Sequence, residues 1–134
     1  MNSYNHAKGG FEKLLDSVAK VSGVKRIRYT SPHPQDMSQK VLDIMSKHEN
    51  ICNYIHLPLQ AGNNNVLKRM NRTYTKEDFI DLVDKIRKSL PKVGISTDII
   101  VGFPGETEIE FQETLDVMKK VKFDSAYTFK YSSR

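Results

Sequence analysis

Asp98 is the lone carboxylate in an alternating, mostly apolar stretch, Ile95 to Val101, and Gly102-Phe-Pro-Gly-Glu106 follows it at once. A carboxylate on a strand must pair with a cation, accept hydrogen bonds from a ligand, or stay in water, because burying it alone is prohibitively costly. Arg28 and Lys130 are the cations that could neutralise it. The glycine turn stops the strand, and Thr107 with Glu110 has the spacing of a capping box that opens a helix. Together these set backbone N–H groups and the Glu106 carboxylate at the carboxyl end of a strand, where α/β folds hold ligands. An ordinary strand-to-helix turn has the same signature, so spacing alone leaves both readings open.

Three other stretches alternate in the same way. Val24–Thr30 sets Ile27 and Tyr29 against Arg26, Arg28 and Thr30; Tyr54–Leu59 sets Ile55, Leu57 and Leu59 against His56, Pro58 and, one step on, Gln60. Ser125–Tyr131 sets Tyr127, Phe129 and Tyr131 against Ala126, Thr128, Lys130 and Ser132. If every apolar face meets helices, the opposite faces form one polar surface carrying arginines, His56, Gln60, Asp98 and Lys130. Leaving such groups buried without partners costs about 1–3 kcal/mol each. That surface must stay wet, pair internally, or hold a polar ligand.

The positioning elements follow from periodicity. Phe11, Leu14, Leu15, Val18 and Val21 recur at helical spacing up to Gly23. A second helix is expected from about Asp36 with Met37, Val41, Ile44 and Met45 on its buried stripe, and a short helical piece carries Val66, Leu67 and Met70. Thr75 and Asp78 cap a longer helix with Phe79, Leu82, Val83, Ile86 and Leu90 inward; Phe111, Leu115, Met118 and Val121 line the last one. Strand starts roughly 30 to 40 residues apart suit parallel strands joined by crossover helices. The expected fold is α/β: a four-stranded parallel sheet with outer helices, part of a TIM-type (β/α) barrel. Eight parallel strands with their helices need about 250 residues, so 134 residues form an incomplete arc with open edges. The chain is therefore expected to be one truncated domain of a larger protein, prone to non-native self-association through those edges.

Bulk properties set bounds. A 38% hydrophobic, 28% charged composition with no apolar run long enough to span a bilayer indicates a soluble chain without a membrane partner. Cys52 is the only cysteine, which excludes a disulfide within the chain and a self-contained thiolate metal site. Near a strand start it reads as a small buried apolar residue, and a reducing, cytoplasmic setting is the default. The net charge of +5 permits an acidic partner such as RNA. The basic groups Lys85, Arg87, Lys88 and Lys92, and Lys119, Lys120 and Lys122, read as solvated helix ends that suit the helix dipole.

Taken in order, Arg26–Pro34, Tyr54–Gly62, Val66–Arg72, Thr97–Thr107 and Phe123–Arg134 resemble the radical-SAM methylthiotransferases over nearly the whole chain. Thr30-Ser-Pro-His-Pro34 is most similar to the branch that modifies tRNA, whose product is 2-methylthio-N6-isopentenyl-adenosine beside the anticodon. Sister branches act on a ribosomal protein or on threonylcarbamoyl-adenosine of tRNA. The resemblance implies that the chain is the carboxyl-terminal two-thirds of a radical-SAM core, its strands the last four of six, with Asn2-Ser-Tyr-Asn5 in the loop after the second strand. It implies S-adenosyl-L-methionine as cofactor and [4Fe-4S] clusters in the intact protein, with the cluster-binding cysteine triad absent from this chain. Metal ligands and catalytic residues are thus expected to be absent, and the chain alone to be inactive. By the same resemblance Gln60 meets the ribose of the cofactor, Asp98, Ile100, Gly102 and Phe103 its adenine and methionine parts, and Tyr131 and Ser132 its adenine. The first glycine of the family's fifth-strand motif is not present. Ser31, His33 and Arg134 would face the tRNA substrate, although His33, between two prolines, also suits a plain turn. A complete, non-catalytic α/β module for a nucleotide or RNA loop is the reading of a different class.

Overall fold

The stretch that alternates most regularly becomes the longest strand and the axis of the sheet. In the computed structural model, which describes residues 5–6, 9–30 and 32–133, the elements run in chain order as follows. A two-residue hairpin, β1 (Asn5–His6) and β2 (Gly9–Gly10), leads into α1 (Phe11–Ala19); a 3-10 turn (Pro34–Asp36) precedes α2 (Gln39–Lys47). Then come β3 (Tyr54–His56), α3 (Asn64–Arg69), α4 (Lys76–Ser89), β4 (Gly94–Val101), α5 (Glu108–Val121) and β5 (Ser125–Lys130). The strands β3, β4 and β5 are parallel neighbours in that order, with Tyr54 beside Gly94 and Asp98 beside Tyr127.

Helices α4 and α5 begin with full capping boxes, Thr75 with Asp78 and Thr107 with Glu110, so their first N–H groups are satisfied locally. The α5 carboxyl end is held from outside: the Arg87 guanidinium donates to the carbonyls of Val121 (2.6 Å) and Lys122 (2.9 Å). Asp124 then exchanges hydrogen bonds with the Ile95 backbone, which sets where β5 starts against β4.

The core lies between the sheet and the helices. Ile55, Leu57, Leu59, Ile95 and Ile99 are fully buried from the sheet, and Phe79, Val83 and Ile86 of α4 meet them. Each such side chain contributes about 1.5–3 kcal/mol of transfer free energy. These are the apolar faces expected for β3 and β4.

Five expectations change. The segment 24–30 is extended but enters the sheet only through the parallel bridge of Ile27 with Ile51, so three strands form the sheet and a bridged segment holds the fourth place. Tyr29 explains the departure: its ring packs edge-on against Phe11 at 5.3 Å and its hydroxyl reaches the Met45 sulfur at 2.8 Å, drawing the chain onto α1 and α2. On β5 the faces are reversed. Register puts Tyr127 and Phe129 on the side of Asp98 and Ile100, while Ala126, Thr128 and Lys130 lie on the side of Thr97, Ile99 and Val101. Every residue of β5 is exposed, so burial by helices does not choose its face, and the rule that apolar means helix-facing fails there.

The stripes of two helices also shift. On α1 only Phe11 and Leu15 are buried, whereas Leu14, Val18 and Val21 are exposed, because α2 covers one flank alone. On α5 Thr114 and Val117 take the buried positions with Val121, and Phe111, Leu115 and Met118 are half-buried. The backbone of Gly62 forces this: an added Cβ there would lie 2.5 Å from Thr114 Cα, and Gly62 N–H donates to Thr114 Oγ1 at 2.8 Å. Cys52 is half-buried rather than buried, its N–H donating to the Ile27 carbonyl.

Candidate functional site

Parallel pairing of β3, β4 and β5 sets residues of like parity on the concave side, with His56 beside Ser96 and Asp98 beside Tyr127. His56, Asp98 and Tyr127 line a cavity of about 460 Å³ there, together with Arg28, Tyr29, Thr30 and Tyr54. Asp98 is partnered by His56, Nε2 to Oδ2 at 3.1 Å, and not by Arg28 or Lys130. Arg28 instead spreads over the Tyr54 ring, 4.4 Å from its centroid, a cation–π placement that holds the guanidinium at the mouth of the cavity. The Tyr127 ring stands edge-on to His56 at 5.9 Å.

Towards the carboxyl ends lie the other residues assigned to a cofactor. Gln60 is nearly buried, with φ of 70°, and its backbone bridges β4: its N–H donates to the Asp98 carbonyl and its own carbonyl accepts from Ile100 N–H, both at 2.8 Å. A left-handed conformation is rare for a residue with a side chain and marks a deliberate bend of the strand end. Ile100 is half-buried and shares its register position with Phe129. Phe103 meets Tyr131 edge to face at 5.1 Å, and Tyr131 N–H donates to the Val101 carbonyl, so the two assigned aromatics are in contact. Ser132 follows, exposed. Of these residues only Asp98 lines the cavity; Gln60, Ile100, Gly102, Phe103, Tyr131 and Ser132 belong to the sheet's carboxyl end.

The glycine turn is occupied by its own carboxylate. Gly102 and Phe103 N–H both donate to Glu106 Oε2, at 2.5 and 3.2 Å, so these groups are already paired. Gly102 and Gly105 both have positive φ, 71° and 75°, which glycine adopts without strain. The turn is clamped from α3, where Arg69 donates to both Glu110 oxygens (3.1 and 3.0 Å) and to the Gly105 carbonyl (3.2 Å). Hydrogen bonds from Arg69 and then Thr107 hold the Glu110 carboxyl down at about 2.

Of the residues expected to face substrate, His33 caps the 3-10 turn, its Nδ1 accepting from Gln35 N–H at 3.4 Å, and packs edge-on against Tyr74 at 5.8 Å. Tyr74 in turn donates to the carbonyls of Pro58 and Leu59, and burial pushes its phenol up to about 12. Ser31 and Arg134 lie outside the described residues, as do positions 2–4.

Several residues of the wall escaped the sequence reading. Tyr54 shares the parity of His56, a signal that was available. Tyr127 carried none, since an aromatic at alternate positions reads as core. Arg72, in the connection between α3 and α4, has its Nε buried without a partner. Glu106 Oε1 is the other buried side-chain atom without a partner among the described residues.

Comparison with known proteins agrees with this architecture. Residues 6–118 match the profile of the Radical SAM superfamily. Two proteins with the name tRNA-2-methylthio-N(6)-dimethylallyladenosine synthase are similar to it. That of Lachnoclostridium phytofermentans is 55% identical over 92% of this chain and 27% of its own length. That of Acetivibrio thermocellus is 50% identical over the whole chain and 28% of its own length. The chain thus spans about a quarter of these relatives. The radical SAM coproporphyrinogen III oxidase of Escherichia coli superposes with a TM-score of 0.64 at 24% identity, over 76% of this chain and 23% of that one, a likeness of fold.

Proposed function

The chain belongs to the radical SAM superfamily, and from that premise we propose that its concave face is the cofactor wall of an enzyme that methylthiolates an isopentenylated adenosine of tRNA. The observation that carries the reading is the half-buried carboxylate of Asp98, oriented on the open side of a partial parallel barrel among exposed rings. The names of the relatives support the tRNA branch over a ribosomal-protein acceptor.

The residues present suit S-adenosylmethionine. Asp98 offers an acceptor to a ribose hydroxyl or an ammonium group. Exposed rings of Tyr127 and Phe129 give apolar flanks for a nucleoside, and the Tyr131–Ser132 backbone beyond the sheet can meet a base edge. Gln60, whose backbone is tied to Asp98 and Ile100, is proposed to meet the ribose. With Gly102 and Phe103 N–H bound to Glu106, the turn contributes shape and not free donors. Bound there and given one electron by a reduced iron–sulfur cluster held outside these residues, S-adenosylmethionine would supply the radical that opens an unactivated C–H bond. The [4Fe-4S] cluster does not fit these residues: it needs three thiolates and this chain has one cysteine. The chain by itself is inert in this reading. Reconstitution with iron and sulfide should give no stoichiometric cluster absorption band.

His33 is proposed to face substrate RNA, and so are Ser31 and Arg134. A cytoplasmic location follows from the tRNA substrate; no described helix is long and apolar enough to cross a membrane. Thermal-shift titration with S-adenosylmethionine, and separately with an anticodon stem-loop, tests the reading. A saturable shift with the cofactor supports it; a response to RNA alone favours a binding module.

A further inference from the structure

On the concave wall four side chains form one continuous hydrogen-bond chain. The Tyr54 hydroxyl donates to Ser96 Oγ at 2.5 Å, Ser96 Oγ lies 2.8 Å from His56 Nδ1, and His56 Nε2 lies 3.1 Å from Asp98 Oδ2. Ser96 is fully buried, so its hydroxyl has no water to turn to. Its single proton cannot go both ways. With the Tyr54 hydroxyl as donor, Ser96 is left to donate to Nδ1, and a neutral ring then carries its proton on Nε2 and donates to Asp98. The reverse direction would set a bare Nε2 lone pair against a carboxylate oxygen. In this direction each hydroxyl and the ring accept one hydrogen bond and donate the next, and the chain ends on Asp98 Oδ2 as acceptor.

This leaves Asp98 half committed. Oδ2 belongs to His56, while Oδ1 has no hydrogen-bond partner among the described residues and the carboxylate borders the cavity. The ring itself is restrained on its edge by Tyr127, and Tyr54 is restrained by Arg28. Every rotamer that aims the carboxylate is thus fixed by a neighbour. We propose that His56, locked by Ser96 and Tyr54, is a positioning residue that holds Asp98 as an ionised, oriented acceptor for one O–H or N–H donor of the ligand. This rests on the cofactor reading and gives His56, Ser96 and Tyr54 the task of aiming the Asp98 carboxylate.

The test separates the two. Long-range 1H–15N spectra of the 134-residue chain report the His56 tautomer without any ligand. A single Nε2-protonated form is expected, collapsing to an averaged pattern in Ser96→Ala and in Asp98→Asn. An averaged or Nδ1-protonated ring in the wild type overturns the inference. Calorimetric titration with S-adenosylmethionine then reads the consequence. His56→Ala should weaken binding about tenfold, the worth of one hydrogen bond to a charged group. His56→Gln, which keeps an N–H donor, should recover part of that loss. Tyr54→Phe, which deletes only a hydroxyl and keeps the ring under Arg28, guards against a misfolded variant and should cost a smaller factor. Titration with 5′-methylthioadenosine identifies the donor: an equal loss in His56→Ala assigns a ribose hydroxyl, and no loss assigns the ammonium group. Unchanged S-adenosylmethionine affinity in His56→Ala overturns the positioning role. Absence of binding by the wild type contradicts the cofactor reading, while the tautomer still decides the hydrogen-bond chain.

Discussion

Single residues set the shape of this wall. Gly62 is the clearest case, because nothing larger fits between the end of β3 and the α5 backbone. A Cβ there meets backbone atoms, which cannot swing aside as a flexible side chain could. Gly62→Ala should destabilise the chain by about 1–3 kcal/mol, the usual cost of overpacking, seen as a lower urea midpoint with an unchanged slope. A slope that changes with the midpoint would mean that the folded state itself had loosened. Thr114→Val removes the hydroxyl that accepts from Gly62 N–H and should cost about 1 kcal/mol, the ordinary net worth of such a bond or slightly more.

Between elements, the α3–α5 contact does what no single strand can. Arg69 ties the glycine turn after β4 to the helix that follows the β3 loop, so the two halves of the proposed wall cannot drift apart. The charge pair has a consequence in acid. The Glu110 carboxyl is lowered from its ordinary 4.5 to about 2 by Arg69 and Thr107. A depressed folded-state value gives stability that is fully present above pH 4.5 and is lost as pH falls from 4.5 towards 2. Glu110→Gln should therefore flatten the acid limb of a stability profile measured by thermal melting between pH 2 and 6, with little effect on its shape above that range. Between α1 and α2, Asp16 behaves likewise: Lys20, then His48, lower it to about 2, and the acid limb of Asp16→Asn should lose that part as well.

Most of this element scale was legible from residue types. The capping boxes of α4 and α5, the inward faces of β3 and β4, and the α4 stripe all follow from local chemistry with a single solution. The errors arise where partners lie far away in sequence. Tyr29 leaves the sheet for Phe11 and Met45, Gly62 rotates α5 by presenting bare backbone, and β5 takes its face from register with β4 and not from burial. For the site, Asp98 and the polar faces of β3 and β4 were readable by parity. Its pairing with His56 was not, because two strands had to be aligned before a histidine and an aspartate 42 positions apart could meet.

For the whole molecule, the described sheet has three parallel strands with a bridged fourth segment, and β5, at its edge, is exposed on both faces. Exposed strands of this kind template further pairing. Tyr127, Phe129 and Tyr131 add apolar surface on the same strand. We expect the chain to self-associate: sedimentation velocity should show a weight-average mass that rises with concentration. Thr128→Pro, which removes one backbone donor on β5, should lower it. A monomer at all concentrations would show that the strand is protected in a way its exposure does not suggest.

The most direct test of the account is 1H–15N chemical-shift mapping of the chain with S-adenosylmethionine. Saturable changes should fall on the backbone of Asp98, Ile100, Tyr127 and Tyr131 and near Gln60, with helix surfaces such as Lys85–Lys88 unmoved. Changes confined to the helices, or none at cofactor concentrations well above the protein's, would contradict the claim that the concave face is built to hold it.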